Sequence, residues 1–180
     1  NKLSIAPGRI VPGSPQGNPP TLPCWPLLVC LGGFAGTVAG PAEAKMTPQR
    51  SSGSFSSVAN GIVWAADNGA KVISMSLGAN LDCPSVIQDA ITYAWSRGAV
   101  IVAAAGNQGM SDAHTPANCV NAVPVGAVNS SDGKPGFSNY GPSVPISAPG
   151  ESILSTGNSG DYLWMSGTSM ATPHAAGVAA

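Results

Sequence analysis

Residues 167–180 have the pattern of a nucleophile placed at the start of a helix. Gly167 permits a sharp turn, and small residues at helical spacing follow Ser169. The Ser169 hydroxyl would lie beside unpaired backbone N–H groups and the positive end of the helix dipole, which favour a developing negative charge. Ser169 is therefore a candidate nucleophile, with a packed small-residue helix capped by Ser or Thr as the alternative.

A long motif surrounds this serine. Residues 167–174 read Gly-Thr-Ser-Met-Ala-Thr-Pro-His, which resembles the serine motif of the subtilisin-like proteases, or subtilases. The Gly-x-Ser-x-Gly motif of an α/β-hydrolase would need glycine in place of Ala171, so that class is disfavoured. The resemblance is continuous over residues 51–180. It implies a serine endopeptidase with an α/β fold, three αβα layers around a mostly parallel sheet.

Residues 104–107 read Ala-Ala-Gly-Asn, the sequence with which subtilases supply an oxyanion asparagine. The resemblance implies that Ser169 attacks the peptide carbonyl and that the Asn107 side chain donates a hydrogen bond to the oxyanion, beside the Ser169 N–H. A common Gly-Asn turn is the alternative interpretation of this pair.

The resemblance also implies where a substrate lies. An extended peptide would pair as an added strand between two segments of the chain. The first specificity pocket would be apolar and roomy, which favours large apolar residues before the cleaved bond. The implied strand-pairing residues are Ser52, Gly53, Ser54, Ser76, Leu77 and Gly78, and the implied pocket is lined by Leu77 and residues 103–106, including Ala105 and Gly106.

The base and the carboxylate of a catalytic triad are not found. Residues 35–40 resemble the end of the subtilase histidine motif, but alignment on them puts Cys30 at the catalytic histidine and Gly33 at the second histidine. Asp67 is the first aspartate in the chain, too late for the family's aspartate motif. Three explanations stay open: a portion of a longer protease, an altered sequence over the first residues, or a non-catalytic relative that binds extended peptides.

The sequence stops inside the predicted serine helix, which favours the first two explanations. We therefore predict a protease domain over residues 51–180 that is incomplete at its C-terminus. Residues 1–50 show no clean period and are predicted to be an altered or divergent part.

The chain's two histidines are not predicted to act as the base. His114 lies in a polar loop, outside the family's catalytic position, and is predicted to be solvated. His174 follows Ser169 on the same helix, so its side chain is predicted to point to another face and to pack in the core.

The elements that would position these groups alternate between helix and strand. The periodicity predicts helices over residues 56–68 and 84–97 and buried strands over 71–77, 99–105 and 120–128. This alternation predicts a parallel sheet with active-site groups at the carboxyl ends of its strands.

Single residues refine these elements. Ser56 or Ser57 is predicted to cap the first helix, and Gly69 to end it. The resemblance implies a cis peptide bond at Pro116. Pro124 lacks a donor for the strand in which it is predicted to lie.

Composition limits the class of protein. Only 8% of the 180 residues are charged and the net charge is −1, which disfavours a nucleic-acid surface and a charged disordered tail. The apolar run over residues 22–40 is broken by prolines and glycines, so a membrane span is disfavoured. We predict a secreted monomer that acts on proteins or peptides, not on nucleic acid or membrane. No cofactor is required, although the resemblance allows structural calcium.

The four cysteines form no C-x-x-C pair, so zinc is not indicated and disulfides are an option. Cys24, Cys30, Cys83 and Cys119 allow three pairings, and buried free thiols are a further alternative. The pair Cys83–Cys119 is favoured because both residues would lie in loops that flank one strand-helix region. It would place the protein in an oxidising compartment.

Overall fold

The computed structural model of this chain describes residues 4–5, 27–31, 53–156 and 162–180. Its elements in chain order are β1 (Ser4–Ile5), β2 (Leu27–Leu31), α1 (Phe55–Asp67), β3 (Ala70–Met75), β4 (Leu77–Gly78), α2 (Ser85–Ser96), β5 (Val100–Ala104), β6 (Ala122–Val128), β7 (Ile146–Pro149), β8 (Ile153–Thr156), β9 (Tyr162–Met165) and α3 (Thr168–Ala179). No helix in these ranges is long and apolar enough to cross a bilayer.

Five strands form one sheet in the order β2-β3-β5-β6-β7, and every neighbouring pair is parallel. β3, β5 and β6 are the three strands predicted from the sequence, so their predicted parallel arrangement is confirmed. β2 adds a strand from the part of the chain that showed no clean period. In its backbone register Cys30 lies opposite Ser74. Cys30 is the residue that the motif alignment placed at the position of the catalytic histidine, and it lies within a strand.

Helices cover both faces of this sheet. Ile73 and Ile101 are fully buried in an apolar cluster with residues of α1 and α2. Val72 and Val102, their neighbours along the strands, pack in a second cluster with residues of α3. Because successive strand residues point to opposite faces, the two clusters lie on opposite sides of the sheet. The predicted three-layer αβα architecture is therefore confirmed.

α1 begins one residue earlier than predicted because Ser54 is its cap. The Ser54 backbone is extended, and its Oγ accepts a hydrogen bond from the Ser57 N–H at 3.1 Å. The predicted caps, Ser56 and Ser57, lie inside the helix instead. By residue type, Ser54, Ser56 and Ser57 are equivalent candidates for the cap. In the structure Ser54 is the cap, and the helix starts at Phe55. Gly69 follows the helix with a φ of +84°, as its predicted role requires.

Pro124 fits the sheet because of where β7 begins. The Val125 carbonyl accepts from the Ala105 N–H at 3.0 Å, so Val125 faces β5. The backbone nitrogen of Pro124, the preceding residue, faces the β7 side of the strand. The pairing of β6 with β7 starts only at Val125, one residue later. The missing proline donor therefore removes no ladder hydrogen bond.

Candidate active site

The start of α3 is fixed by a close approach to the end of β7. Gly167 precedes the helix, and its N–H donates to the Gly150 carbonyl at 2.7 Å. A Cβ at Gly150 would lie 2.6 Å from the Ala127 Cβ and 2.9 Å from the Gly167 carbonyl oxygen, so only glycine permits this contact. Ser169 is consequently held in the first turn of α3, where backbone N–H groups have no intrahelical acceptor.

Ser76 supports the same turn from the loop between β3 and β4. Its Oγ donates a hydrogen bond to the Ser169 carbonyl oxygen at 2.7 Å. Ser76 was predicted to pair with substrate as part of a strand, which is a role for its backbone. Its side chain contacts the backbone of the candidate nucleophile. Only its backbone groups are left for a substrate strand.

Thr168 fixes the orientation of the Asn107 amide. Asn107 Oδ1 accepts from the Thr168 N–H at 2.8 Å and from Thr168 Oγ1 at 2.9 Å. The same hydroxyl accepts from the Gly106 N–H at 3.2 Å. Because a backbone N–H can only donate, the amide oxygen must face Thr168 and the Nδ2 group must face away from it. The geometry therefore leaves the Nδ2 donors for another acceptor.

Ser169 and Asn107 line one cavity of about 170 Å³. Ala105, which was predicted to line the pocket, is fully buried and is not part of this surface. The cavity wall also includes Leu77, Gly78, Ala104, Gly106, Gln108, His114 and Thr168. The structure thus brings Ser169, Asn107, Leu77, Gly78 and Gly106 together.

The described residues of the second predicted substrate segment do not line this cavity. Gly53 and Ser54 precede α1, neither lines the cavity, and the Ser54 hydroxyl is engaged as the helix cap. Ser52 lies outside the described residues.

The exposure predicted for each histidine side chain is wrong. His114 was predicted to be solvated, yet it is only 5% exposed. His174 was predicted to pack in the core, yet it is exposed, and its Nδ1 lies 2.8 Å from the Met170 carbonyl one turn earlier. Neither histidine hydrogen-bonds to Ser169.

His114 is buried because its backbone is bonded to the end of β5. Its N–H donates to the Ala105 carbonyl at 2.9 Å, and it precedes the cis peptide bond between Thr115 and Pro116, as the resemblance implied. Burial lowers the pKa of the His114 imidazole below its ordinary value, an effect that the Asp112 carboxylate partly opposes. The imidazole is therefore neutral at pH 7.

Asn139 is a buried positioning residue that the sequence interpretation missed. Its Oδ1 accepts from the N–H groups of Gln108 and Met110 at 3.0 and 3.1 Å, and its Nδ2 donates to the carbonyls of Ala105 and Asp112 at 3.0 and 2.9 Å. The side-chain amide thereby binds the loop that follows β5 at four points, which uses both of its donors and both of its acceptor sites.

Replacing Asn139 with alanine is expected to lower the free energy of unfolding by about 3 kcal/mol or more, because buried donors and acceptors lose their partners. Urea unfolding of the purified chain measures this loss. Asn129 is the matched control, because its Oδ1 accepts from Ser131 N–H and Gly133 N–H at 3.0 and 2.9 Å in a turn that water reaches. Equal losses for the two variants would contradict the role given to Asn139.

Cys83 and Cys119 do not line the cavity that contains Ser169. Cys83 and Cys119 are placed as a disulfide pair, with Cα atoms 5.2 Å apart. They border a wider depression of about 690 Å³ that does not include Ser169. Calcium takes several oxygen ligands, but within the described ranges no three His, Cys, Asp or Glu side chains are grouped to hold a metal ion.

A parallel αβα sheet that presents a serine at a helix start, beside an anchored asparagine amide, has the features of a serine hydrolase. The sequence profile described as the subtilase family matches residues 26–180, and the chain belongs to this family. The matched range includes β2. It therefore begins before residue 51, the position from which the motif resemblance is continuous.

Individual relatives agree with this assignment. Thermitase of Thermoactinomyces vulgaris is 48% identical over 149 residues, which cover 82% of this chain and 53% of thermitase. An extracellular protease of Xanthomonas campestris is 44% identical over 170 residues, which cover 82% of this chain and 29% of that protein. A solved protease structure from Pseudoalteromonas arctica has a TM-score of 0.69 at 39% identity and covers 72% of this chain and 46% of that one. The chain thus spans about half of thermitase and less of the other two.

Proposed function

We propose that this chain carries the nucleophile and the oxyanion site of a serine endopeptidase. The observation that supports this proposal is the bonding of Asn107 Oδ1 to Thr168, the residue before Ser169, with Asn107 and Ser169 on one cavity. An amide anchored through its oxygen presents its N–H groups in a fixed direction, and such preorganised donors stabilise developing negative charge.

In the proposed reaction, Ser169 Oγ forms a bond to the peptide carbonyl carbon and its proton passes to a base. The carbonyl oxygen becomes negatively charged and accepts hydrogen bonds from Asn107 Nδ2 and the Ser169 N–H. The C–N bond then breaks, the leaving amine takes up a proton, and water hydrolyses the acyl-enzyme. No cofactor enters this reaction. We assign the base to neither His114 nor His174.

The substrate is proposed to lie extended along β4. β1 pairs antiparallel with this strand, with Ser4 opposite Gly78 and Ile5 opposite Leu77. This pairing supports strand addition by a substrate, because the same edge already accepts an extended segment. A substrate would take the place of β1. The wall formed by Leu77, Ala104 and the neighbouring glycines supports a preference for large side chains with an apolar body.

The alternative function is a peptide-binding relative that does not cleave. The observation that favours it is that neither histidine of the chain hydrogen-bonds to Ser169. A serine without a base is a poor nucleophile, although the oxyanion site and binding alone can retain roughly 10³ to 10⁴-fold catalysis over water.

One experiment separates the two functions. A peptide that ends in a boronic acid is expected to bind roughly 10² times more tightly, or better, than the same peptide ending in an amide, because the boronate adduct with Ser169 resembles the tetrahedral intermediate. Isothermal titration calorimetry measures both dissociation constants. Equal affinities would support the peptide-binding alternative, and binding of neither peptide would contradict both functions.

We further infer a secreted monomer with a Cys83–Cys119 disulfide bond. The placement of the two cysteines as a pair and the low charge of the chain support this inference. Free thiols on both cysteines in a non-reducing peptide digest would contradict the disulfide bond.

A further inference from the structure

The His114 imidazole is a buried polar group that the proposed reaction does not use. His114 is 5% exposed, and its Nε2 has no hydrogen-bond partner among the described protein groups. A buried polar atom without a partner destabilises the folded state, and such atoms are few in native proteins. The position of His114 on the wall of the cavity that contains Ser169 points to a ligand as the missing partner.

The backbone around His114 connects two walls of the cavity. The His114 N–H donates to the Ala105 carbonyl at 2.9 Å, at the end of β5. The adjacent Thr115 carbonyl accepts from the Ala79 N–H at 3.0 Å, just after β4. His114 is therefore held between the β4 wall and the β5 wall, where a side chain entering between them would meet it.

Two glycines permit the cavity walls to approach the segment that carries His114 closely. A Cβ at Gly106 would lie 2.9 Å from His114 Nδ1, and a Cβ at Gly78 would lie 2.9 Å from the Thr115 carbonyl oxygen. Any larger residue at either position would collide with the segment that carries the imidazole. The glycines therefore bring the β4 wall and the β5 wall against this segment, and His114 lines the cavity beside them.

The other polar side chains on the cavity have different partners. Asn107 Oδ1 accepts from Thr168, and Gln108 Oε1 accepts from the Asn107 N–H at 2.8 Å. Asn107 Nδ2 and Ser169 are assigned to the reacting carbonyl in the proposed function. His114 is thus left to contact the side chain of the substrate.

We propose that His114 determines specificity by hydrogen-bonding the tip of the substrate side chain that precedes the cleaved bond, so that tyrosine is preferred over phenylalanine. This inference rests on the proposed function, because it assumes that a substrate side chain enters the cavity. The apolar wall contacts the aromatic ring, and the imidazole contacts the hydroxyl.

The ionisation of His114 matches a neutral partner. Its lowered pKa leaves a neutral imidazole at pH 7, with one nitrogen donor and one nitrogen acceptor. A phenolic hydroxyl can donate to the acceptor or accept from the donor. A substrate carboxylate would lose its hydration at this site without meeting a positive charge, so acidic side chains are disfavoured.

The test compares two boronic-acid peptides that differ only in a terminal phenylalanine or tyrosine side chain. The unchanged chain is expected to bind the tyrosine peptide about fivefold to tenfold more tightly, the effect of one hydrogen bond. Both peptides must displace β1. The free-energy cost of this displacement is the same for both and therefore cancels in the ratio of their dissociation constants. His114→Phe is expected to remove or reverse the ratio, since it keeps a ring and removes both nitrogen atoms. His174→Phe, the matched change at the exposed histidine, is expected to preserve it.

The outcomes distinguish this inference from the proposed function. If neither boronic acid binds, the proposed function fails. If both bind with equal affinity, or if His114→Phe preserves the ratio, the inference fails and the proposed function stands.

Nitrogen-15 NMR of the unchanged chain gives a second test that requires no folded variant at position 114. With only two histidines in the sequence, the tyrosine peptide is expected to shift the His114 signals more than the phenylalanine peptide does. Equal shifts would overturn the inference.

Discussion

Replacing Ser169 with alanine is expected to abolish reaction of the chain with a fluorophosphonate. This reagent forms a phosphorus–oxygen bond to a serine Oγ and releases fluoride, and alanine has no Oγ. The unchanged chain is expected to react slowly but only at Ser169, because neither histidine hydrogen-bonds to that residue. Intact mass spectrometry counts the adducts, and a peptide digest locates them. The affinity for a peptide amide is expected to be the same in both proteins.

Ser166 provides the matched control for this prediction. It lies three positions earlier on an exposed part of the same segment, and its Oγ accepts from the Ser152 N–H at 2.9 Å. Ser166→Ala is expected to react as the unchanged chain does. Labelling that survives Ser169→Ala would contradict the assignment of the nucleophile. Rapid labelling of the unchanged chain would instead show that a base is present, and His114 would be the first residue to examine.

Replacing Asn107 with aspartate is expected to slow acylation by roughly 10² to 10³-fold or more, the effect of losing one oxyanion donor. Aspartate keeps the oxygen that accepts from Thr168, so the local hydrogen bonds survive while the Nδ2 donor is lost. Its negative charge also lies close to the developing oxyanion, which adds repulsion. A peptide p-nitrophenyl ester is the suitable substrate, because p-nitrophenolate leaves without taking up a proton.

Asn118→Asp is the control for this change. Asn118 is exposed, does not line the Ser169 cavity, and donates through its side-chain amide to the Leu81 carbonyl at 2.9 Å. The variant therefore loses one donor and gains one charge away from the candidate site, and its rate of p-nitrophenol release is expected to be unchanged. Similar rates for Asn107→Asp and Asn118→Asp would contradict the oxyanion role of Asn107.

The features that the sequence predicted correctly depend on residues close together in the chain. The apolar strands and the helices between them follow from local periodicity, and the two faces of the sheet follow from the alternation of Val72 and Ile73. Ser169 and Asn107 were identified from short contiguous motifs. Their meeting on one cavity follows from the parallel sheet, which gathers the segments after its strands at one edge.

The features that were missed depend on contacts between distant residues. Asn139 bonds to Ala105, 34 positions away, and nothing in its own neighbourhood separates it from a half-buried asparagine such as Asn129. His114 lies in a polar segment, and its burial results from the bonds that join this segment to β4 and β5. His174 follows the serine motif on α3, and its helical position alone did not show which helix face the rest of the chain would cover.

The most direct test of the central claim is a crystal structure of this chain with a bound peptide boronic acid. We expect a covalent bond between boron and Ser169 Oγ, with one boronate oxygen about 3 Å from both Asn107 Nδ2 and the Ser169 backbone nitrogen. A boronate attached to another residue, or one attached to Ser169 with no oxygen near Asn107, would contradict the claim that these two residues form one catalytic site.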